Sequence, residues 1–183
     1  VSDVFQSVDI IFWCDSSKEN DKRYEGGLFG YLSGTVKNLA IINCDVNYSI
    51  GNGYCGAVVA SGGTVTNCYS TGKVSGKQCG GISGNGSTIT NCYSTAKVTG
   101  TDSSYGIGAN PSKIDKCVAL NNEISGTEAG RVGSKQTLTN NYALKEMKVN
   151  NAAVTTGNTA NECAKKLIEN GAKSVLVFTI AKD

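Results

Sequence analysis

Residues 64–76 read TVTNCYSTGKVSG and residues 88–100 read TITNCYSTAKVTG, so one phrase returns after 24 residues. A fixed period of this size confines the chain to stacked architectures, in which each unit buries its apolar face only against its neighbours. Weaker copies flank the strong ones. Downstream lie Ile114 to Leu120 and Leu138 to Leu144, and upstream Val36 to Ile41 fits the same frame after a longer gap. Aligned, one column holds Leu39, Cys68, Cys92, Cys117 and Asn141. The column three residues earlier is Val36, Val65, Ile89, Ile114 and Leu138, apolar throughout.

A glycine-rich element precedes each copy and supplies a second apolar column of Leu28, Val58, Ile82, Ile107 and Val132. A third column runs through Val74 and Val98 and extends to Val46, Ile124 and Val149. Three short apolar stretches per unit, separated by Gly, Asn and Ser, predict three short strands per coil. Apolar residues are too sparse for a helical period, and Thr, Val, Ile and Tyr favour strands. Twenty-three glycines and one proline suit a chain that turns several times per coil and keeps its ladder donors. The predicted fold is all-β: a right-handed parallel β-helix (a solenoid) with about five coils. At ~4.8 Å per stacked strand the repeat body would be roughly 24 Å long.

The pattern G-G-L-x-G-x-x-S-G-T-x-x-N-C-Y-S-T-G-x-V-S-G resembles the GLUG-type repeat of bacterial surface proteins, adhesin-like proteins and regions of immunoglobulin A-cleaving metallopeptidases. Residues 78–100 match it closely, 54–76 nearly as well, and 26–46, 105–124 and 130–149 loosely. The resemblance implies a parallel β-helix on an extracellular protein and brings no catalytic residues with it.

Three segments follow from this reading. Residues 1–25 hold an apolar stretch, 4–13, predicted to seal the N-terminal end as a strand, then a polar loop from Ser16 to Glu25. Residues 26–149 are the coils. Residues 150–183 begin with a small-residue linker. Thr159 with Glu162 forms a capping-box pattern, Gly171 is placed to stop a helix, and Cys163, Leu167 and Ile168 share one face between them. Ser174 to Ile180 is apolar on both faces, through Val175, Leu176, Val177, Phe178 and Ile180, as in a buried strand. This helix-plus-strand unit is expected either to cap the open end or to dock on the next molecule as an assembly strand.

Net charge is +2 and thinly spread, so no basic patch points to nucleic acid, and no apolar run is long enough for a transmembrane helix. The chain begins at Val1, which suits a processed or excised fragment. Sequons at Asn47 and Asn85 are candidate N-glycosylation sites near predicted turns. Eight cysteines lean towards disulfides in an oxidising compartment. Cys68, Cys92 and Cys117 share an inward column and read as small core fillers. Cys55 with Cys79 are the better bridge candidates, and Cys14 with Cys44, and Cys117 with Cys163, would staple caps to body.

Histidine is absent, which removes Ser-His-Asp and Cys-His catalysis, and no cysteine pair has C-x-x-C spacing. No cofactor or metal site is expected. Carbohydrate-cleaving β-helices cluster carboxylates, yet no Asp or Glu occurs between Asp45 and Asp102. Any residual case for an enzyme, acting on polysaccharide, rests on Asp102 and Asp115 near a groove. Two outward ladders are candidate binding features. Thr64 and Thr66 stack on Thr88 and Thr90, an array resembling ice-binding faces but broken by Lys113 and Asp115. Tyr69 stacks on Tyr93, and Tyr142 resumes the column after Val118. An exposed aromatic ladder suits sugar rings or a protein partner, or it shields the coil backbone.

The sequence therefore predicts a non-enzymatic, extracellular or cell-surface structural or adhesive element, with head-to-tail self-assembly into fibres or arrays as its expected mode. The alternative is a carbohydrate- or protein-binding module that uses the Tyr and Thr ladders. Its partners would be itself or surface glycans and proteins, without nucleic acid and without membrane insertion.

Overall fold

A computed structural model describes residues 6–9, 25–48, 53–134 and 137–153. They form a parallel β-solenoid, all strand and turn, with no helix among the described residues. The threonine wall is a five-stranded sheet of Thr35–Lys37, Thr64–Thr66, Thr88–Thr90, Lys113–Asp115 and Thr137–Thr139. Five rungs make about four full turns. The glycine wall stacks Phe29–Tyr31, Val59–Ser61, Ser83–Asn85 and Gly108–Asn110, and a lone bridge from Gly108 to Gly133 begins a further rung. The remaining strands join a thirteen-stranded sheet that carries the tyrosine column and the third apolar column.

The sequence columns are the ladder registers. Val36 pairs Val65, Val65 pairs Ile89, Ile89 pairs Ile114 and Ile114 pairs Leu138. Val46, Val74, Val98, Ile124 and Val149 align in the same way. Inward members at the interior rungs are sealed: Val65, Ile89, Ile114, Val74, Val98 and Ile124 have no exposed surface. At the last rung Leu138 keeps the column but is 41 % exposed, because no further described coil covers it.

The unequal spacing of the repeats is taken up locally: four of the five extra residues of the first step fall between Tyr48 and Tyr54, and a bulge takes the fifth. Ile41 pairs Ser70 but Cys44 pairs Gly72, so two residues of one strand oppose one of the next, a β-bulge. Gly72 takes φ 109° there, open to glycine, and Asn43 takes φ 55°. A second bulge between Gly100 and Ser103 absorbs one residue and turns a 24-residue step into 25. The registers on either side are undisturbed.

Both ends carry extra strands. Gln6–Asp9 lies parallel to Leu39–Ile42 and adds a rung at the N-terminal side. At the other side Lys148–Val149 is followed by Asn150 and Asn151, both with positive φ, and the chain doubles back so that Ala152–Ala153 pairs antiparallel with it. Two left-handed residues between paired strands make the turn that matches strand twist in a tight hairpin. The sequence reading has no such hairpin; it treats Asn150 to Asn158 as linker. The predicted helix near Thr159 and the strand of Val175 to Ile180 lie outside the described residues, as do Cys14 and Cys163.

Replacing Ile89 by Ala should cost about 2–5 kcal/mol, since the site is sealed above and below by paired rungs. Thr90→Ala, one residue on but facing outward, should cost less than about 1 kcal/mol. Urea denaturation of both variants checks the inward and outward assignments together.

Candidate recognition face along the tyrosine column

Between the threonine wall and the tyrosine strands the chain turns through one residue per coil. These are Asn38, Asn67, Asn91, Lys116 and Asn140, all with φ between 52° and 58°. Asparagine tolerates this left-handed region better than other residues with a Cβ, which explains the invariant Asn in the strong repeats. The side chains then link the coils: Asn67 Nδ2 donates to Asn38 Oδ1 at 3.1 Å, and Asn91 Nδ2 donates to Asn67 Oδ1 at 3.3 Å. Lys116 interrupts the ladder, and Asn140 Nδ2 donates instead to Asp115 Oδ1 at 3.2 Å. The sequence reading missed this corner. The Asn before Cys68 and Cys92, repeated in phase, was the available signal.

Two residues beyond each corner stands the tyrosine column. Tyr69 pairs Tyr93, Tyr93 pairs Val118 and Val118 pairs Tyr142, with Ala40 before Tyr69. The Tyr69 and Tyr93 rings are parallel within 5°, their centroids 4.7 Å apart. Each ring therefore spends one face on the other. The second face of Tyr93, which is 38 % exposed, looks towards the Val118 rung. Burial, with the neighbouring Tyr69, raises the Tyr93 phenol above its ordinary range. Thr64, Thr66, Thr88 and Thr90 form the expected two-rung array, half-buried and in register, and Lys113 and Asp115 follow on the third rung.

Behind this face the Cys column does more than fill space. The Cys68 amide donates to Cys92 Sγ at 3.3 Å, the Cys92 amide donates to Cys117 Sγ at 3.4 Å, and the Cys117 amide donates to Asn141 Oδ1 at 2.8 Å. Each thiol in turn donates to a carbonyl of its own coil, Thr66, Thr90 or Asp115. A sulfur that accepts and donates satisfies a corner amide that a methyl group would strand. Hydrogen bonding with Cys117 and Cys68, together with burial, pushes the Cys92 thiol far up, and Cys55 with burial does the same to Cys79. Burial pushes Cys44 up to about 11. These three thiols are protonated at neutral pH and are poor nucleophiles.

The expected bridges differ from the structure. Cys55 and Cys79 are ladder partners, as a bridge would need, yet both are free thiols. Cys55 Sγ donates to the Tyr48 and Gly53 carbonyls and Cys79 Sγ to the Thr99 carbonyl, so each already has a partner. Cys44 and Cys117, expected to pair with Cys14 and Cys163, are buried free thiols as well. Of the sequons, Asn47 is exposed. Asn85 donates through Nδ2 to Ser61 Oγ and accepts at Oδ1 from Asn110, and a glycan on that nitrogen would cost the rung.

Asp102 and Asp115 do not converge. Asp102 lies on the thirteen-stranded sheet beside Lys77, 3.7 Å away, whereas Asp115 lies on the threonine wall beside Lys113, 3.8 Å away. Glu123 pairs Lys97 at 2.9 Å. Burial raises the Asp115 carboxyl, but hydrogen bonds from Asn140 and Thr139 and the charges of Lys113 and Lys116 outweigh it and hold it below the usual range. Each of these three carboxylates stands singly beside a lysine.

The sequence matches no protein-family model and no curated protein. Among solved structures the fold is similar to that of a chain from Bacteroides ovatus described as a "putative immunoglobulin A1 protease", with a TM-score of 0.56 and 20% identity over 80% of this chain and 67% of that one. A likeness at this identity is one of fold.

Two measurements test the packing behind this face. A double-mutant cycle over Tyr69→Ala and Tyr93→Ala, read by thermal or chemical unfolding, should return a coupling of about 0.5–1.5 kcal/mol from the ring stack. For the thiols, the folded pKa of Cys44 lies above its ordinary 9.0. The stability tied to its protonated form is complete below pH 9 and declines as pH rises towards about 11. Unfolding titrations between pH 8 and 11 (roughly that window) should show stability falling with pH, and a Cys44→Ala variant should show a shallower fall.

Proposed function

We propose that the chain is a non-enzymatic β-solenoid element of an extracellular or cell-surface protein, with a structural or adhesive role, that works through its side walls. The observation that carries this reading is the set of outward columns held in register on successive rungs. Tyr69 with Tyr93, Thr64 and Thr66 with Thr88 and Thr90, and Asn67 with Asn91 each present one chemistry repeated along the axis. A rigid, periodic array of this kind offers many weak contacts at fixed spacing, and multivalent adhesion exploits such spacing. The separated, lysine-paired acids support the non-enzymatic part.

End-to-end assembly is the competing use of the same fold. The hairpin at Asn150 and Asn151 weighs against it, because Ala152–Ala153 occupies the outer edge of Lys148–Val149 in the antiparallel sense. An incoming coil would need that edge for parallel pairing, and covering an edge is a standard defence against it. The threonine wall and the tyrosine strands still end on Thr137–Thr139 and Tyr142–Ala143 among the described residues, so docking there by Val175 to Ile180 of a second copy is the specific alternative.

Electron microscopy of the intact chain beside a truncation lacking residues 174–183 separates the two. Single short rods in both samples are expected. Filaments from the intact chain that vanish on truncation would overturn the side-wall reading in favour of head-to-tail assembly.

A further inference from the structure

One interior coil breaks the outward pattern while keeping the inward one. Over 113–120 the buried residues Ile114, Cys117 and Ala119 match their columns, as the core demands. Outward, Thr88 gives way to Lys113, Thr90 to Asp115, Asn91 to Lys116, Tyr93 to Val118 and Thr95 to Leu120. On the next coil Thr139, Asn140 and Tyr142 resume the pattern. Packing does not require these five exchanges, and they fall together on one rung.

Their joint effect is a slot. Tyr93 and Tyr142 stand two rungs apart with the small, half-buried Val118 between them. Two rungs at the ~4.8 Å strand spacing set the two positions roughly 9–10 Å apart, about what one ring would need between two others at the 4.7 Å of the Tyr69 and Tyr93 pair. Val118 forms the floor, and Leu120, 39 % exposed, flanks it. On the opposite rim the amide ladder is broken at the same level. Lys116 has no amide to donate to Asn91 Oδ1, so the ladder that ties Asn91 to Asn67 stops at the exposed Lys116, whose charge also acts on Asp115. Lys116 also holds φ 55°, a left-handed conformation that asparagine would hold at lower cost. The coil therefore gives up a ring stack, an amide rung and a relaxed corner together.

We propose that this rung is a binding site for a single pyranose ring of a glycan, held over Val118 between Tyr93 and Tyr142. The C–H faces of a pyranose suit aromatic side chains, and its hydroxyl or carboxylate substituents suit Lys116 and Asn91 Oδ1. A plain aromatic ring would fill the same gap and leave that polar rim unused. The site deepens the adhesive reading and rests on it.

Restoring the repeat should destroy the site without harming the fold. Val118→Tyr installs the residue that the column carries on the rungs either side, and Lys116→Asn completes the amide ladder. Both variants should melt at or above the wild-type temperature. On an array of immobilised neutral, uronate-bearing and sialylated oligosaccharides, the intact wild-type chain should bind a subset, and Val118→Tyr should weaken that binding at least about tenfold. Tyr93→Ala and Tyr142→Ala should weaken it too, which covers the case in which Val118→Tyr disturbs folding. Glycan binding undiminished in Val118→Tyr overturns the slot and leaves an adhesive role resting on other surfaces. An array on which the wild type binds nothing also overturns it, as does capture of 4-nitrophenol in place of any sugar. The rods or filaments seen by microscopy test the broader reading independently.

Discussion

In a parallel in-register stack every residue's neighbour above and below is its own counterpart, about 4.8 Å away. That proximity decides which side chains a column can hold. Amides succeed because each is donor and acceptor at once, as in Asn91 to Asn67 to Asn38. Thiols succeed for the same reason, each taking an amide from the coil before. Tyrosines succeed by offset stacking. Like charges do not, and the column of Asp45, Lys73, Lys97, Glu123 and Lys148 shows how the conflict is contained: its one Lys-over-Lys step has an acid beyond it on each side.

The corners follow from this constraint. A coil must turn between walls without sliding, and one left-handed residue per turn does so compactly. Asparagine serves the backbone there and then uses its side chain to tie the coil to the next. Lys116 serves the first purpose only. Left-handed backbone costs a residue with a Cβ on the order of 1–2 kcal/mol, and a solvent-exposed corner has no packing to offset it. Local strain of that kind persists where something other than stability selects the residue.

The registers were legible from the sequence because a constant period and an apolar column leave one way to align Val65 with Ile89 and Val74 with Val98. The inward sense of Cys92 and the outward sense of Tyr93 came with it. Other features were hidden for physical reasons. Free thiols and a disulfide look alike in sequence, and Cys55 and Cys79 meet the distance requirement whether or not they bond. The Tyr69 and Tyr93 rings could have stood apart; only their torsions turn the faces together. The closing hairpin depends on two adjacent left-handed asparagines, Asn150 and Asn151, in a stretch whose composition reads as linker. The slot over Val118 was visible as a gap in the column, but its coincidence with the break at Lys116 required the corner ladder to be recognised first.

The two bulges carry a consequence for how such a molecule lengthens. Between Ile41 and Cys44, and again between Gly100 and Ser103, an extra residue is taken up locally while the walls on either side remain paired. The walls impose a rule on what may change, and the bulges take up a difference in length. A gene duplicating its coils therefore need not copy them to the exact residue. Insertions at those two places leave the neighbouring coils in step, and they would be the first sites at which to graft a foreign loop.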